Sequence, residues 1–200
     1  MFGRERIVTA AYSCLLEQKW HTFPIEPARF HFSWPVISYQ EYARLSNVSP
    51  AVFLEYGYDG FSVAGLKGQT FILYNDQSPL CRQRFTVAHE LGHILLRHQG
   101  HIRRHEEEAD FFASLLLLPD AVLNLLRSRG ISLTEAFLMK TFGVSRHTAQ
   151  YKRAAFTRPP ICHPLDQQIE ALFFPEICRF VSAAQSSFDE LEEQYLGYNR

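Results

Sequence analysis

The segment Ala88-His89-Glu90-Leu91-Gly92-His93 constrains the fold more than any other part of the chain. On an α-helix its His-Glu-x-x-His spacing puts two imidazoles one turn apart on a single face, with the glutamate beside them. That is a pair of zinc ligands with a general base. With 9 His in 200 residues, composition alone yields the pattern in roughly one chain in thirty, so the surroundings must decide. A buried helix with two ordinary core histidines would have to find partners for two imidazoles and a carboxylate without a metal, which is costly. Gly92 favours the metal, because its missing side chain lets the backbone that carries a further ligand come close.

A catalytic zinc usually takes three protein ligands and leaves a fourth position to water. The metzincin continuation would place Gly and His three and six residues after His93, but Leu96 and Gln99 stand there. His98 and His101 are out of register, and with His105 they are expected on a solvated loop among Arg97, Arg103 and Arg104. The better source is the acidic run Glu106-Glu107-Glu108-Ala109-Asp110. Part of that run needs no ligand to explain it, since carboxylates are favourable at a helix N-terminus. At 100° per residue Glu106 shares a face with Ala109, Asp110, Ala113 and Leu117, whereas Glu108 points with Phe111, Phe112 and Leu115. The small alanines permit close helix approach, so the phase favours Glu106 as third ligand, with Glu108 the alternative. Asp110, one turn on, is placed to accept the other ring N–H of a ligating histidine.

Pattern and punctuation predict the rest of the chain as mostly helix. A first helix begins near Glu5; the stretch Ile7–Leu16 behind Arg4 and Arg6 is a poor signal peptide, because Glu17-Gln18-Lys19 occupies the place of a cleavage site. Tyr39–Asn47 is a brief helix before Pro50, and residues 61–63 and 69–75 form a β-hairpin turning through Gly65 and Gly68. Helices follow over about 83–98, 104–118 up to Pro119, 120–128, and from Ser132 onward. Pro159-Pro160 marks a boundary, after which residues 161–200 carry a helical piece near 187–196. A net charge of −1 supplies no global basic field for nucleic acid or an anionic membrane. No apolar run reaches the ~18 residues needed to span a bilayer. Cys14, Cys81, Cys162 and Cys178 show no Cys-x-x-Cys spacing, so they read as buried reduced thiols of a cytoplasmic protein rather than a disulfide or zinc-ribbon framework.

Arg84-Phe85-Thr86-Val87 running into the His-Glu-x-x-His segment, then Glu106-x-Glu108-Ala109-Asp110-x-Phe112-Ala113 and Leu116-Leu117-Leu118-Pro119, resemble the ImmA/IrrE-type metallopeptidases over roughly residues 59–156. The resemblance implies an α+β, mostly helical, zincin-like domain with a small β-sheet; with the boundary at Pro159-Pro160 that domain is expected over residues 1–160, followed by a C-terminal helical extension over 161–200 that the resemblance does not cover. It also places the third ligand on Glu106, in agreement with the helical phase. The expected metal set is therefore His89, His93 and Glu106 around Zn2+, with Glu90 as catalytic base for peptide hydrolysis. The family's known members cleave helix-turn-helix repressors or related regulators, so the resemblance implies a repressor or antitoxin-like protein substrate. The hairpin strand 69–75 is a candidate for strand addition by that substrate. Tyr74, Tyr151 and Arg146 are candidates for stabilising the oxyanion.

Two other functions compete. One is a protein that binds metal and regulates without cleaving. The other is a DNA-binding module: residues 132–158, with Phe142-Gly143-Val144-Ser145 as the turn, read as a helix-turn-helix with Lys140, Arg146, Lys152, Arg153 and Arg158 against Glu135. The same pattern also packs as a plain helical hairpin within the catalytic domain, and DNA binding is the less favoured reading.

Overall fold

Two helices, α4 (Leu80–Leu95) and α5 (Arg103–Leu117), form the centre of a computed structural model that describes residues 2–64, 70–100, 102–156 and 162–197. In α4 the residues Val87, Ala88, Leu91 and Gly92 are buried, as the 3.6-residue period requires of a helix with one face in a core. That face meets Ala109, Phe112 and Ala113 of α5. A β-carbon at Gly92 would lie 3.2 Å from Ala109 Cα and 3.1 Å from the Phe112 ring, so the close approach expected at this glycine is present.

Around this pair stand α1 (Phe2–Gln18), α6 (Asp120–Ser128) and α9 (Asp166–Gly197). Ile7, Leu15, Leu91, Leu116, Leu126 and Phe173 share one hydrophobic core. Burying each such side chain fully is worth about 1.5–3 kcal/mol. The C-terminal helix starts some twenty residues before the predicted piece at 187–196, and its Ile169, Phe173 and Ile177 enter this core. The Pro159-Pro160 boundary and the hairpin turn at residues 65–69 lie outside the described residues.

The sheet has three strands in the order β1-β3-β2: β1 (Val36–Ser38), β2 (Gly60–Ala64) and β3 (Thr70–Tyr74). Strands β2 and β3 form the expected antiparallel hairpin, with Ser62 opposite Ile72, while β1 runs parallel to β3. Ile72 faces the main core, whereas Leu73 joins Tyr39, Ala43 and Phe53 in a smaller cluster. Those last three come from α2 (Tyr39–Ser46) and α3 (Ala51–Leu54). This corrects one expectation: β3 is bonded on both sides, so it has no free edge for a substrate strand. The free edges belong to β1 and β2.

Helices α7 (Glu135–Phe142) and α8 (Arg146–Ala155) form the predicted helical pair. Thr134 and Ser145 cap their N-termini, and Gly143 ends α7 at φ +62°, a left-handed conformation that glycine adopts without steric cost. Leu138, Phe142 and Ala149 are buried in the main core, and the Gly143 carbonyl accepts a 3.1 Å hydrogen bond from Arg84 of α4. Of the five cations, Lys152 is buried on Asp120 at 2.7 Å, Arg153 pairs with Glu135 at 3.0 Å, and Arg158 lies outside the described residues. Lys140 and Arg146 are exposed.

The cysteines form no disulfide; Cys14 is buried, Cys81 and Cys178 are half-buried, and Cys162 is exposed, so burial holds for one thiol rather than four. Among the described residues no single helix is long and apolar enough to cross a membrane. The apolar pair α5–α6 is bent by 41°, and its apolar side chains fill the core.

Candidate metal centre

His89 and His93 lie at the border between the buried face of α4 and solvent, their side chains 17% and 14% exposed. Glu106, in the first turn of α5, reaches across to both. The two Nε2 atoms stand 3.0 Å apart, and Glu106 Oε2 is 3.2 Å from that of His89 and 3.6 Å from that of His93. Four tetrahedral ligands about 2.0–2.1 Å from zinc stand about 3.3 Å from one another, which these three spacings bracket. The structure thus brings together His89, His93 and Glu106, and no other metal-ligating group of three forms among the described residues.

The outer hydrogen bonds supply a second reason to place a cation here. His89 Nδ1 is 2.9 Å from Asp110 Oδ1, the contact expected of Asp110. A carboxylate only accepts, so His89 must carry its proton on Nδ1 to make this bond. In the neutral ring Nε2 is then a bare lone pair aimed at a second ring nitrogen and a carboxylate oxygen. Such a cluster of acceptors needs a proton or a metal ion between its members. The residues present therefore fit a divalent metal with one position left open.

In the metal-free centre the two imidazoles differ. Burial works against the charge on His89, but the hydrogen bond and charge of Asp110, with Glu90 and Glu106 behind it, hold its pKa above the ordinary value. His93 is pushed below the ordinary value, first by burial and then by its neighbour His89. His89 is thus the more basic of the two rings.

Glu90, one residue after His89, is half-buried, lies outside the triad, and makes no hydrogen bond or ion pair among the described residues. Its charge is felt at Tyr39, whose phenol donates a 2.6 Å hydrogen bond to the Gly57 carbonyl and is pushed up to about 12 by burial, then by Glu90 and Asp59. Glu107 is a surface residue paired with Arg103. Of the oxyanion candidates, Tyr74 is half-buried on β3 with its pKa raised by burial and then by nearby carboxylates, while Tyr151 and Arg146 are exposed on α8. None of the three hydrogen-bonds to His89 or His93 among the described residues.

Two of the histidines expected on a solvated loop lie elsewhere: His105 is half-buried in the first turn of α5, and His98 is nearer the metal centre. It is not on a solvated loop: its side chain is 3% exposed, with Nδ1 3.1 Å from His93 Nδ1 and Nε2 3.2 Å from Glu108 Oε2. Glu108, the alternative ligand, accepts from Arg6 and Arg104 as well and stands one step behind His93 rather than in the triad. Burial would raise its pKa, but the bonds from Arg104 and His98 bring it below the usual carboxylate range. His105 stacks on His98 with ring centres 4.3 Å apart, and His101 lies outside the described residues. The only signal for His98 in the sequence is its place five residues after His93, which matters only if the helix ends in one particular turn.

No curated protein sequence matches the chain. The IrrE N-terminal-like domain of Peptidase_M78 matches residues 51–153, which covers β2, β3 and both helices of the metal centre. The chain belongs to this peptidase family.

Proposed function

We propose that the protein is a zinc-dependent endopeptidase that cleaves a regulatory protein partner, with His89, His93 and Glu106 as ligands and Glu90 as catalytic base. The observation that carries this reading is the convergence of two Nε2 atoms and one carboxylate oxygen, from two helices, within 3.0–3.6 Å of one another. Zn2+ bound there would supply Lewis acidity, bringing the pKa of a water toward about 7 and polarising a scissile carbonyl. Glu90 has no hydrogen-bond or ion-pair partner among the described residues, and its charge is felt at both His89 and His93, so it can accept a proton from the attacking water and return it to the leaving amine. Asp110 holds His89 in the tautomer that leaves Nε2 bare. The class of substrate, a helix-turn-helix repressor or antitoxin-like regulator, is supported by the family resemblance.

The test pairs metal content with cleavage of a regulator encoded beside this chain. Wild type should cut it, and Glu90→Gln should keep its zinc while losing about 100-fold or more in rate, as removal of a general base does. A Glu90→Gln protein of unchanged activity would contradict the assignment.

A further inference from the structure

The two histidines of the metal centre have different outer partners. His89 has Asp110, a carboxylate that dictates its tautomer directly. Behind His93 stands a neutral imidazole, which dictates nothing unless its own tautomer is fixed. We propose that His98 is a positioning residue for the metal centre, held by Glu108 so that it accepts the Nδ1–H of His93 and leaves His93 Nε2 bare. This rests on the reading of His93 as a metal ligand.

The backbone puts His98 there. The His98 N–H donates to the His93 carbonyl at 2.9 Å and the Arg97 N–H to the Ile94 carbonyl at 3.0 Å, with Arg97 at φ +54°. This pair of bonds, spanning six and four residues, is the Schellman ending of a helix. That ending brings the side chain after the left-handed residue onto the third residue from the helix end, a contact usually made by two apolar groups. Here the two positions are His98 and His93, and the contact is a 3.1 Å hydrogen bond between ring nitrogens.

Proton placement follows from the donors available. Glu108 Oε1 accepts from Arg104 Nε at 2.8 Å, and Oε2 accepts from Arg6 at 3.0 Å and faces His98 Nε2 at 3.2 Å. An acceptor-only carboxylate requires the proton of His98 on Nε2, so the Nδ1 of the neutral ring is an acceptor. The 3.1 Å contact then requires the proton of His93 on Nδ1. His93 Nε2 is left with a free lone pair at the triad, 3.0 Å from His89 Nε2. The relay Arg6–Glu108–His98–His93 also ties α1 to the metal centre, whereas Asp110 acts within the α4–α5 pair alone.

The tautomers can be read without metal, by long-range ring nitrogen–proton NMR correlation on the metal-free wild type at about pH 8. The expected result is the Nδ1–H form for His93 and the Nε2–H form for His98; His93 in the Nε2–H form, which imidazoles prefer in water, would overturn the proposal. Zn2+ affinity, read by competition with a chromophoric chelator, is the second arm. His98→Phe should lose about 10- to 100-fold, the usual cost of an outer-shell partner. His98→Gln, whose amide oxygen can accept from His93, should stay within about threefold of wild type. Equal affinity in wild type, His98→Phe and His98→Gln would reduce His98 to packing. If the phenylalanine variant fails to fold, the wild-type tautomers still decide. The predicted tautomers in a wild type that takes up no Zn2+ would uphold the relay and contradict the metal reading instead.

Discussion

Asp110 distinguishes the two histidines of the motif, because its carboxylate makes His89 more basic while burial makes His93 less so. Its pKa being raised, His89 of the metal-free protein takes up a second proton, on Nε2, more readily than a free imidazole does, and a metal bound at Nε2 must displace that proton. Zinc binding should release more protons as pH falls through the imidazole range, seen as a binding enthalpy that changes with the buffer's own ionisation enthalpy. Asp110→Asn should weaken both the release and the affinity, the latter by about 10- to 100-fold. Glu107→Gln should change neither, since it breaks only an exposed pair with Arg103, worth at most about 0.5 kcal/mol. Equal effects at Glu106 and Glu107 would mean that the acidic run is only a solvated helix start. The residues of the triad were legible in the sequence because the His-Glu-x-x-His spacing marks the two imidazoles, and helical phase favours Glu106 among three adjacent glutamates, in agreement with the family resemblance. His98 was not, because its position depends on a left-handed arginine at 97, and nothing in local propensity marks an arginine for that conformation.

At the scale of elements, the metal centre is as exact as the contact between α4 and α5. Gly92 sets that contact: a methyl group there would meet Phe112 and the Ala109 backbone at 3.1–3.2 Å, and no flexible side-chain tip can yield. Gly92→Ala should cost about 1–3 kcal/mol through overpacking. Its larger effect should be on zinc, because pushing α5 away moves Glu106 relative to both imidazoles; a thermal melt and a zinc titration separate the two effects. By contrast, Arg97→Gly relieves a left-handed arginine without touching the histidines, so it should keep affinity and raise stability slightly. Helix limits at Pro119 and the antiparallel hairpin were readable from proline placement and β-branched patterning. The strand order was not, because β1 is three residues long and becomes a strand only through pairing with β3.

For the whole molecule, packing ties segments far apart in sequence into one core. Phe173 of α9 stacks on Phe23 with ring centres 5.0 Å apart, and Phe23 in turn meets Phe142 of α7. Phe173→Ala should therefore cost about 3–5 kcal/mol, read as a lower denaturant midpoint. The long C-terminal helix was underestimated from sequence because Pro175 interrupts its pattern, while burial of Ile169, Phe173 and Ile177 sustains it on both sides. Lys152, one of the five cations of the less favoured DNA-binding reading, is buried on Asp120, and burial lowers its pKa against the pull of that carboxylate. A depressed folded pKa means that the unfolded chain binds the proton more tightly, so this group makes stability rise with pH up to about 10.5. Relative to Lys152→Met, wild type should gain stability as pH rises through that window; a constant difference would contradict the burial argument.

The central claim is that His89, His93 and Glu106 hold one zinc ion, and the zinc content of the purified chain after mild dialysis tests it most directly. Wild type should retain about one Zn2+ per chain, and His89→Ala and Glu106→Gln, each still folded, should retain far less. A folded wild type that holds no zinc, or variants that hold as much as wild type, would contradict the account.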